Sequence, residues 1–210
     1  MPAKRVASPW PSVFLSLACV VWLLALQRSP RGGQGNNVER FRRLGCAASG
    51  TFNLLKEVQR INAEQKERFL KVVRDALWVL RDKKIAVWGL TFKPDTDDIR
   101  SSVAIDLVAD ILREGAQVSA YDPKGMDKAR EIKAISGARL TSSALEAAEN
   151  AEALIIATEW TEFCNVDLNT LREKMHTPMV FDGRNIFDPE TMRKLGFQYT
   201  SIGRPLAKAI

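Results

Sequence analysis

The residues best equipped for chemistry fall in short clusters, each directly after an apolar run. Phe92, Lys93 and Arg100 follow one run, Asp122 a second, Thr158-Glu159-Trp160 a third and Asp182-Gly183-Arg184 a fourth. Three cations and two aromatics would suit a phosphorylated ligand with a planar ring. Charge and the bidentate fork of Arg serve a phosphate, and aromatic faces serve a base. A plainer reading stays open beside it, in which the cations pair with Asp95, Asp97, Asp98 and Glu159 on a solvated loop. Other chemistries lack parts. The three cysteines, Cys19, Cys46 and Cys164, form no CxxC pair, and His176 is the one histidine, so no Cys/His metal site is expected. An odd number of widely spaced cysteines argues against a disulfide framework and fits a reducing cytoplasm.

These clusters need elements to hold them. From Phe52 to about Arg81 apolar residues recur at threes and fours between charges, which predicts one long amphipathic helix of about 45 Å at 1.5 Å per residue. A helix that long commonly ties two domains or two subunits together. The period then changes. Lys84 to Gly89 reads as a buried strand, followed by a helix over Ser102 to Glu114 with Ser101 or Ser102 as N-cap and Gly115 as its stop. Gln117 to Tyr121 is a strand closed by Asp122-Pro123, Gly125 to about Ile135 a helix, and Ser142 to Asn150 a short helix before the strand Ala153 to Ala157. A helix over Asp167 to Lys174, a strand over Met179 to Phe181, a helix from Asp188-Pro189 and an edge strand over Gln198 to Ser201 complete the series. Such alternation predicts an α/β fold with a doubly wound, mainly parallel sheet, because parallel neighbours require crossovers. Ligands of such sheets sit outside the carboxyl ends of the strands, where the clusters fall. A dinucleotide fingerprint is missing, since Gly89 stands alone where GxGxxG would need three glycines.

The formal charge of +6 in 210 residues invites a nucleic-acid reading, but the excess is confined to the front. Lys4, Arg5, Arg28, Arg31, Arg40, Arg42 and Arg43 face Glu39 within residues 1–50, and the remaining 24 basic and 24 acidic residues cancel. A neutral body without a basic stripe excludes binding to a phosphate backbone as the leading function. Within residues 1–50, Lys4 and Arg5 precede the apolar stretch Val13 to Leu26, which has the shape of a signal peptide and is short for a membrane span. Three readings stand: an export signal, a short anchor, or non-native sequence upstream of a domain whose natural beginning is missing. No membrane role is expected for the body.

The run Val87-Trp-Gly-Leu-Thr-Phe-Lys-Pro-Asp-Thr-Asp-Asp-Ile-Arg100 resembles the G-x-x-F-K-x-x-T-x-D-x-R signature of the UDP-glucose/GDP-mannose dehydrogenase family, in its C-terminal domain. Val118-Ser-Ala-Tyr-Asp-Pro123, Ala157-Thr-Glu-Trp-Thr-Glu-Phe163, Phe181-Asp-Gly-Arg-Asn185 and Gly196-Phe-Gln-Tyr-Thr-Ser-Ile-Gly203 join it in order, so the resemblance covers roughly residues 52–204. The Thr-Glu-Trp and Asp-Gly-Arg-Asn elements look most like the UDP-glucose 6-dehydrogenase branch. The resemblance implies an unassigned segment at 1–50, the family's central dimerisation helix at 51–82 with a homodimer formed through it, and a Rossmann-like UDP-sugar-binding domain at 83–210. It implies that Phe92, Lys93 and Arg184 contact the UDP-sugar, and that Arg100 extends toward NAD on a partner domain. One departure concerns Arg100: the family continues Arg-Glu-Ser-Pro, whereas Ser101-Ser102-Val103 follows here, which loosens the helix entry that aims it.

A larger departure concerns catalysis. The family's oxidation of an alcohol to a carboxylate uses a thiol set in Gly-Gly-x-Cys-hydrophobic-Pro-Lys-Asp. Cys46 lies in Leu44-Gly-Cys-Ala-Ala and Cys164 in Glu-Phe-Cys-Asn, so neither fits, and no catalytic residue is assigned. The expectation is a C-terminal fragment of an NAD-dependent enzyme that contributes UDP-sugar binding and is inactive alone. The alternative is a free-standing nucleotide-sugar-binding or interaction module.

Overall fold

The computed structural model describes residues 53–100 and 102–204. The readings made for residues 1–50, Cys19 and Cys46 included, lie outside the described residues, as does Ser101. The described residues from Arg60 onward form one compact unit, with its boundary inside the first helix.

That helix, α1, spans Asn53–Leu77. It stops four residues short of the expected Arg81 because Trp78 takes a left-handed conformation at φ 61°, which no helix continues through. Leu70 and Val73 are completely buried in the core of this unit, and each contributes about 1.5–3 kcal/mol by leaving water. Between Arg60 and Phe69 no helical residue is fully buried, and Ile61 is 46% exposed.

The unit contains β1 (Lys84–Trp88), α2 (Val103–Arg113), β2 (Gln117–Tyr121), α3 (Met126–Arg130), a 3₁₀ turn at Lys133–Ile135, β3 (Arg139–Leu140) and α4 (Ala144–Ala147). It continues with β4 (Ala153–Ile156), α5 (Thr161–Cys164), α6 (Leu168–Lys174), β5 (Met179–Asp182), α7 (Pro189–Lys194) and β6 (Gln198–Ser201). All six strands are parallel, in the order β3-β2-β1-β4-β5-β6. This is the expected doubly wound, Rossmann-like sheet, with its order reversing between β1 and β4.

Alternation along each strand feeds two cores. Ile85, Val87, Ile155 and Phe181 face α1 and α2 with Leu70, Val73, Val108 and Ile111. Ala86, Trp88, Leu154, Ile156 and Val180 face the other layer with Phe163, Leu171, Phe197 and Tyr199. Trp88 is wholly buried there, stacked on Phe163 at 5.1 Å, and its indole N–H donates to the Ala144 carbonyl at 2.8 Å.

Local chemistry starts the helices where expected. Ser102 caps α2 by accepting from the Ala104 N–H at 3.2 Å, and Asp188 caps α7 ahead of Pro189. Three expectations change. The single helix over 125–135 is α3 plus the 3₁₀ turn, the helix over 142–150 shrinks to α4, and β3 and α5 stand where no element was expected.

Candidate functional site

The loop after β1 and the loop after β5 meet the loop after β4 at the carboxyl edge of the sheet. At the point where the strand order reverses, a dinucleotide-binding sheet leaves a crevice. Here protein fills it. Gly89 takes φ +92°, and a Cβ on it would lie 2.5 Å from the Thr158 Cβ and 2.7 Å from the Thr158 nitrogen. The Thr158 hydroxyl donates to the Thr91 carbonyl at 2.7 Å, which ties the loops after β1 and β4 together. Any ligand must therefore lie outward of this knot.

Outward of it stand the residues singled out from sequence. Phe92 is 43% exposed, and its N–H donates to the Asp98 carbonyl at 2.9 Å, closing a small loop that presents Lys93. Arg184 follows β5. Its Nε donates to the Ala157 carbonyl at 2.7 Å and lies 3.2 Å from Glu159 Oε2. The Ala157-Thr158 dipeptide thus contacts both halves: Ala157 orients Arg184, and Thr158 holds the loop leading to Phe92 and Lys93. Two strand spacings, about 10 Å, separate the ends of β1 and β5.

Arg100 shares the first loop but is fastened locally. Its Nε and terminal nitrogen grip the two Asp98 carboxylate oxygens at 2.9 and 2.8 Å while the side chain stays 83% exposed. The fork holds the Asp98 carboxyl well below its ordinary range, at about 2, and raises the guanidinium in turn. Asp97 pairs with Lys128 at 2.6 Å. The plainer reading, cations paired with loop acids, thus describes Arg100, and Glu159 beside Arg184 is a second instance. Asp95 and Asn185 take left-handed backbone at φ 61° and 58°, a conformation their short polar side chains tolerate.

Two rim residues stand differently from the sequence reading. Trp160 offers no open ring face: it is 5% exposed, with Lys124 Nζ 5.9 Å from its ring centroid. Its indole N–H instead donates at 3.2 Å to Asp122, which is itself 1% exposed. Asp122 Oδ2 also accepts from the Leu90 and Thr91 N–H groups at 2.7 and 2.9 Å and from the Thr91 hydroxyl at 2.9 Å. Its Oδ1 accepts from the N–H groups of Lys124 and Gly125 at 2.9 and 2.7 Å. The sequence signal was an Asp-Pro-x-Gly turn, in which an aspartate bonds the backbone two and three residues on.

Asp182, completely buried, organises the other half. It accepts from the N–H groups of Arg184, Ile186 and Phe187 at 2.8, 2.8 and 3.2 Å, and from the Tyr199 hydroxyl at 2.7 Å. Burial, then the Asp182 charge, raises the Tyr199 phenol, which stays a donor. Gly183 passes under Ile156, whose carbonyl would stand 2.9 Å from any Cβ there, with the Phe69 ring of α1 behind it.

The Cys164 thiol is pushed above its ordinary value by burial and by the Asp182 and Glu159 charges, opposite to what a nucleophilic thiolate needs. Among the described residues no group of His, Cys, Asp and Glu could hold a metal ion, and no helix is long and apolar enough to cross a membrane. A cleft of about 390 Å³ opens at the amino ends of the strands, beside Lys84, Gln117, Ser119, Arg139, Glu149 and Asn150. Open α/β sheets bind their ligands at the opposite, carboxyl end, and Arg139 at this cleft is already paired with Glu146 at 2.7 Å.

Residues 86–189 match the model of the UDP-glucose/GDP-mannose dehydrogenase family, UDP binding domain. The chain is 48% identical over 135 residues to a UDP-glucose 6-dehydrogenase of Rhizobium meliloti, covering 64% of this chain and 30% of that protein. It is 40% identical over 161 residues to a UDP-glucose 6-dehydrogenase of Pseudomonas aeruginosa, covering 73% and 35%. The chain thus spans about a third of the length of the curated relatives it matches. Among solved structures it is similar to a UDP-glucose dehydrogenase from Pyrobaculum islandicum, at TM-score 0.62 and 28% identity over 71% of this chain and 33% of that one. A UDP-D-ManNAc dehydrogenase from Pyrococcus horikoshii gives TM-score 0.63 and 29% identity, over 76% and 36%.

Proposed function

The chain belongs to the UDP-glucose/GDP-mannose dehydrogenase family, and from that premise we propose that its sheet rim binds the diphosphate of a UDP-sugar between Lys93 and Arg184, with the Phe92 ring beside it. The observation that carries this reading is the shared anchoring of the two loops on Ala157-Thr158, with Arg184 Nε fixed by the Ala157 carbonyl at 2.7 Å. A guanidinium oriented through Nε meets phosphate oxygens with its far side, and an ammonium on the facing loop adds a second charge.

In a complete enzyme such binding serves the NAD-dependent oxidation of UDP-glucose to UDP-glucuronate. The nicotinamide cofactor would accept hydride, and Arg100, 83% exposed on the first loop, would reach toward it on leaving Asp98. These 210 residues alone do not turn over: burial and the neighbouring acids push the Cys164 thiol up, away from the thiolate a nucleophile needs, and neither it nor Cys46 has the sequence setting of the family's thiol. The pairing of two chains, or of this chain with a longer relative, through α1 is supported by Ile61 and Val72, apolar yet 46% and 37% exposed.

Calorimetry with UDP on the full chain tests the site. Each cation contributes about 1.5–3 kcal/mol through bonds to ionised oxygens, so Lys93→Ala or Arg184→Ala weakens binding roughly tenfold to a hundredfold. Binding indifferent to both substitutions refutes the assignment. Reduction of NAD by UDP-glucose with this chain alone, abolished by changing Cys164 or Cys46, would refute the inactivity.

A further inference from the structure

Asp122 makes no contact with the outward face of the rim, yet three loops converge on it. One carboxylate takes six hydrogen bonds: four on Oδ2, from Leu90, Thr91 twice and Trp160, and two on Oδ1, from Lys124 and Gly125. The carboxylate itself is 1% exposed, so water cannot take the place of these donors around it. Thr91 is enclosed on all sides. Its N–H and hydroxyl are taken by Asp122, its carbonyl by Thr158, and its methyl fills the space that a Cβ on Gly125 would enter, 2.7 Å away. Phe92 and Lys93 are the next two residues, so the direction in which they leave the sheet is set at Thr91.

We propose that Asp122 is the positioning residue of the nucleotide-sugar loop: by joining Thr91 to Trp160 through one carboxylate oxygen, it aims Phe92 and Lys93 at the ligand without touching it. The inference rests on the UDP-sugar reading above and adds to it the residue that holds the loop in binding geometry. An ionised carboxylate is acceptor-only and suits a site built wholly of donors. An amide does not: in either orientation Asn turns its NH₂ toward N–H groups, losing the bonds on one oxygen and setting donor against donor.

The test uses the full chain and four substitutions. Asp122→Asn inverts half of the hub, Trp160→Phe removes one donor and keeps a ring, and Thr91→Val removes the hydroxyl while Thr91→Ser restores it. UDP affinity is measured by calorimetry well below each variant's melting midpoint, and hydrogen exchange follows the Phe92 amide, bonded to the Asp98 carbonyl at 2.9 Å. Asp122→Asn, Trp160→Phe and Thr91→Val are expected to weaken UDP binding by roughly tenfold, the equivalent of one bond to an ionised group. They should also speed exchange at Phe92 while leaving the amides of Val87 and Ile155 protected, and Thr91→Ser should recover affinity. A role confined to stability would lower the melting midpoint and leave both readouts of the folded protein unchanged, which overturns the proposal. Should Asp122→Asn fail to fold, Trp160→Phe and the Thr91 pair decide. Lys93→Ala is run in parallel: if it weakens UDP binding while the hub variants do not, the site stands and this inference falls. If the unaltered chain binds no UDP, the site reading falls with its ligand, and faster exchange at Phe92 still upholds the hold of Asp122 on the loop.

Discussion

Glu159→Gln should make UDP bind more tightly, an uncommon direction for a substitution inside a binding site. Glu159 Oε2 lies 3.2 Å from Arg184 Nε, with the two side chains 43% and 37% exposed. Coulomb's law at that distance gives about 1 kcal/mol in water and several times more at an effective dielectric of about 20. Exposed pairs measured in double-mutant cycles contribute only about 0–1 kcal/mol, and the open rim argues for that lower range. An incoming diphosphate must displace Glu159 or share the guanidinium with it, so binding is penalised by up to about 1 kcal/mol. The variant lifts that penalty, a gain of up to about fivefold at 1.4 kcal/mol per decade. The orientation of Arg184 survives, since the Ala157 carbonyl at 2.7 Å holds Nε independently. Calorimetry at low and moderate salt is the assay, and the gain should shrink as salt screens the repulsion. It should also vanish in an Arg184→Ala background if it acts through that side chain. Weaker binding by Glu159→Gln would show that Glu159 orients Arg184 rather than competing for it. Unchanged affinity at low salt would place the phosphate elsewhere.

Gly89→Ala combines a left-handed backbone at φ +92° with overlap of 2.5–2.7 Å on Thr158, and should cost about 3–5 kcal/mol in urea melts, more than strain or overpacking alone. A loss under about 1 kcal/mol would mean that the two loops move apart easily. Trp78 sits 91% exposed at φ 61°, so Trp78→Gly should stabilise the chain by about 1 kcal/mol, and a lowered melting midpoint would show that its ring is covered in solution. Asp98 should titrate near pH 2 by NMR, and its midpoint should return toward 3.8 in Arg100→Gln. Because its folded value is depressed, the fork's stabilisation is present above pH 3.8 and is lost as pH falls through 2; with Asp98 37% exposed this amounts to less than about 1 kcal/mol. An unchanged acid limb in the Arg100 variant would remove the fork from solution.

The short, continuously apolar runs made the fold legible. Residues 85–88 and Ala153–Ile156 are buried on both faces and read as central strands, and Ser102 and Asp188-Pro189 announced their helices through backbone chemistry that is local. What escaped was structure borrowed from neighbours. Two-residue β3 exists because Ser119 and Ala120 pair with it, and α5 is a single turn packed through Phe163. The end of α1 escaped for another reason: Trp is neither Gly nor Asn, so nothing marked its left-handed turn. For the candidate site, strand-end position pointed to Phe92, Lys93, Arg100 and Arg184 alike, because a parallel sheet gathers its loops at one edge, and only the family resemblance set Arg100 apart. Position could not reveal burial. Trp160 and Asp122 looked equally placed to meet a ligand, and only packing shows that they meet each other.

The pairing of β1 with β4 matters before the protein is complete. Ile85 lies opposite Ala153 and Trp88 opposite Ile156, partners about 70 residues apart in the chain. During synthesis from the amino end β2 emerges soon after β1 and covers one of its edges, but the other edge, Lys-Ile-Ala-Val-Trp, waits for β4. At about 5–20 residues per second that interval lasts roughly 4–14 s. Through it an apolar strand presents an unpaired row of N–H and C=O groups, open to the same strand on a neighbouring nascent chain. The middle of the finished sheet is thus its most exposed part while the ribosome is still at work, and the yield of folded protein should depend on how quickly the stretch from Gln117 to Ile156 is made.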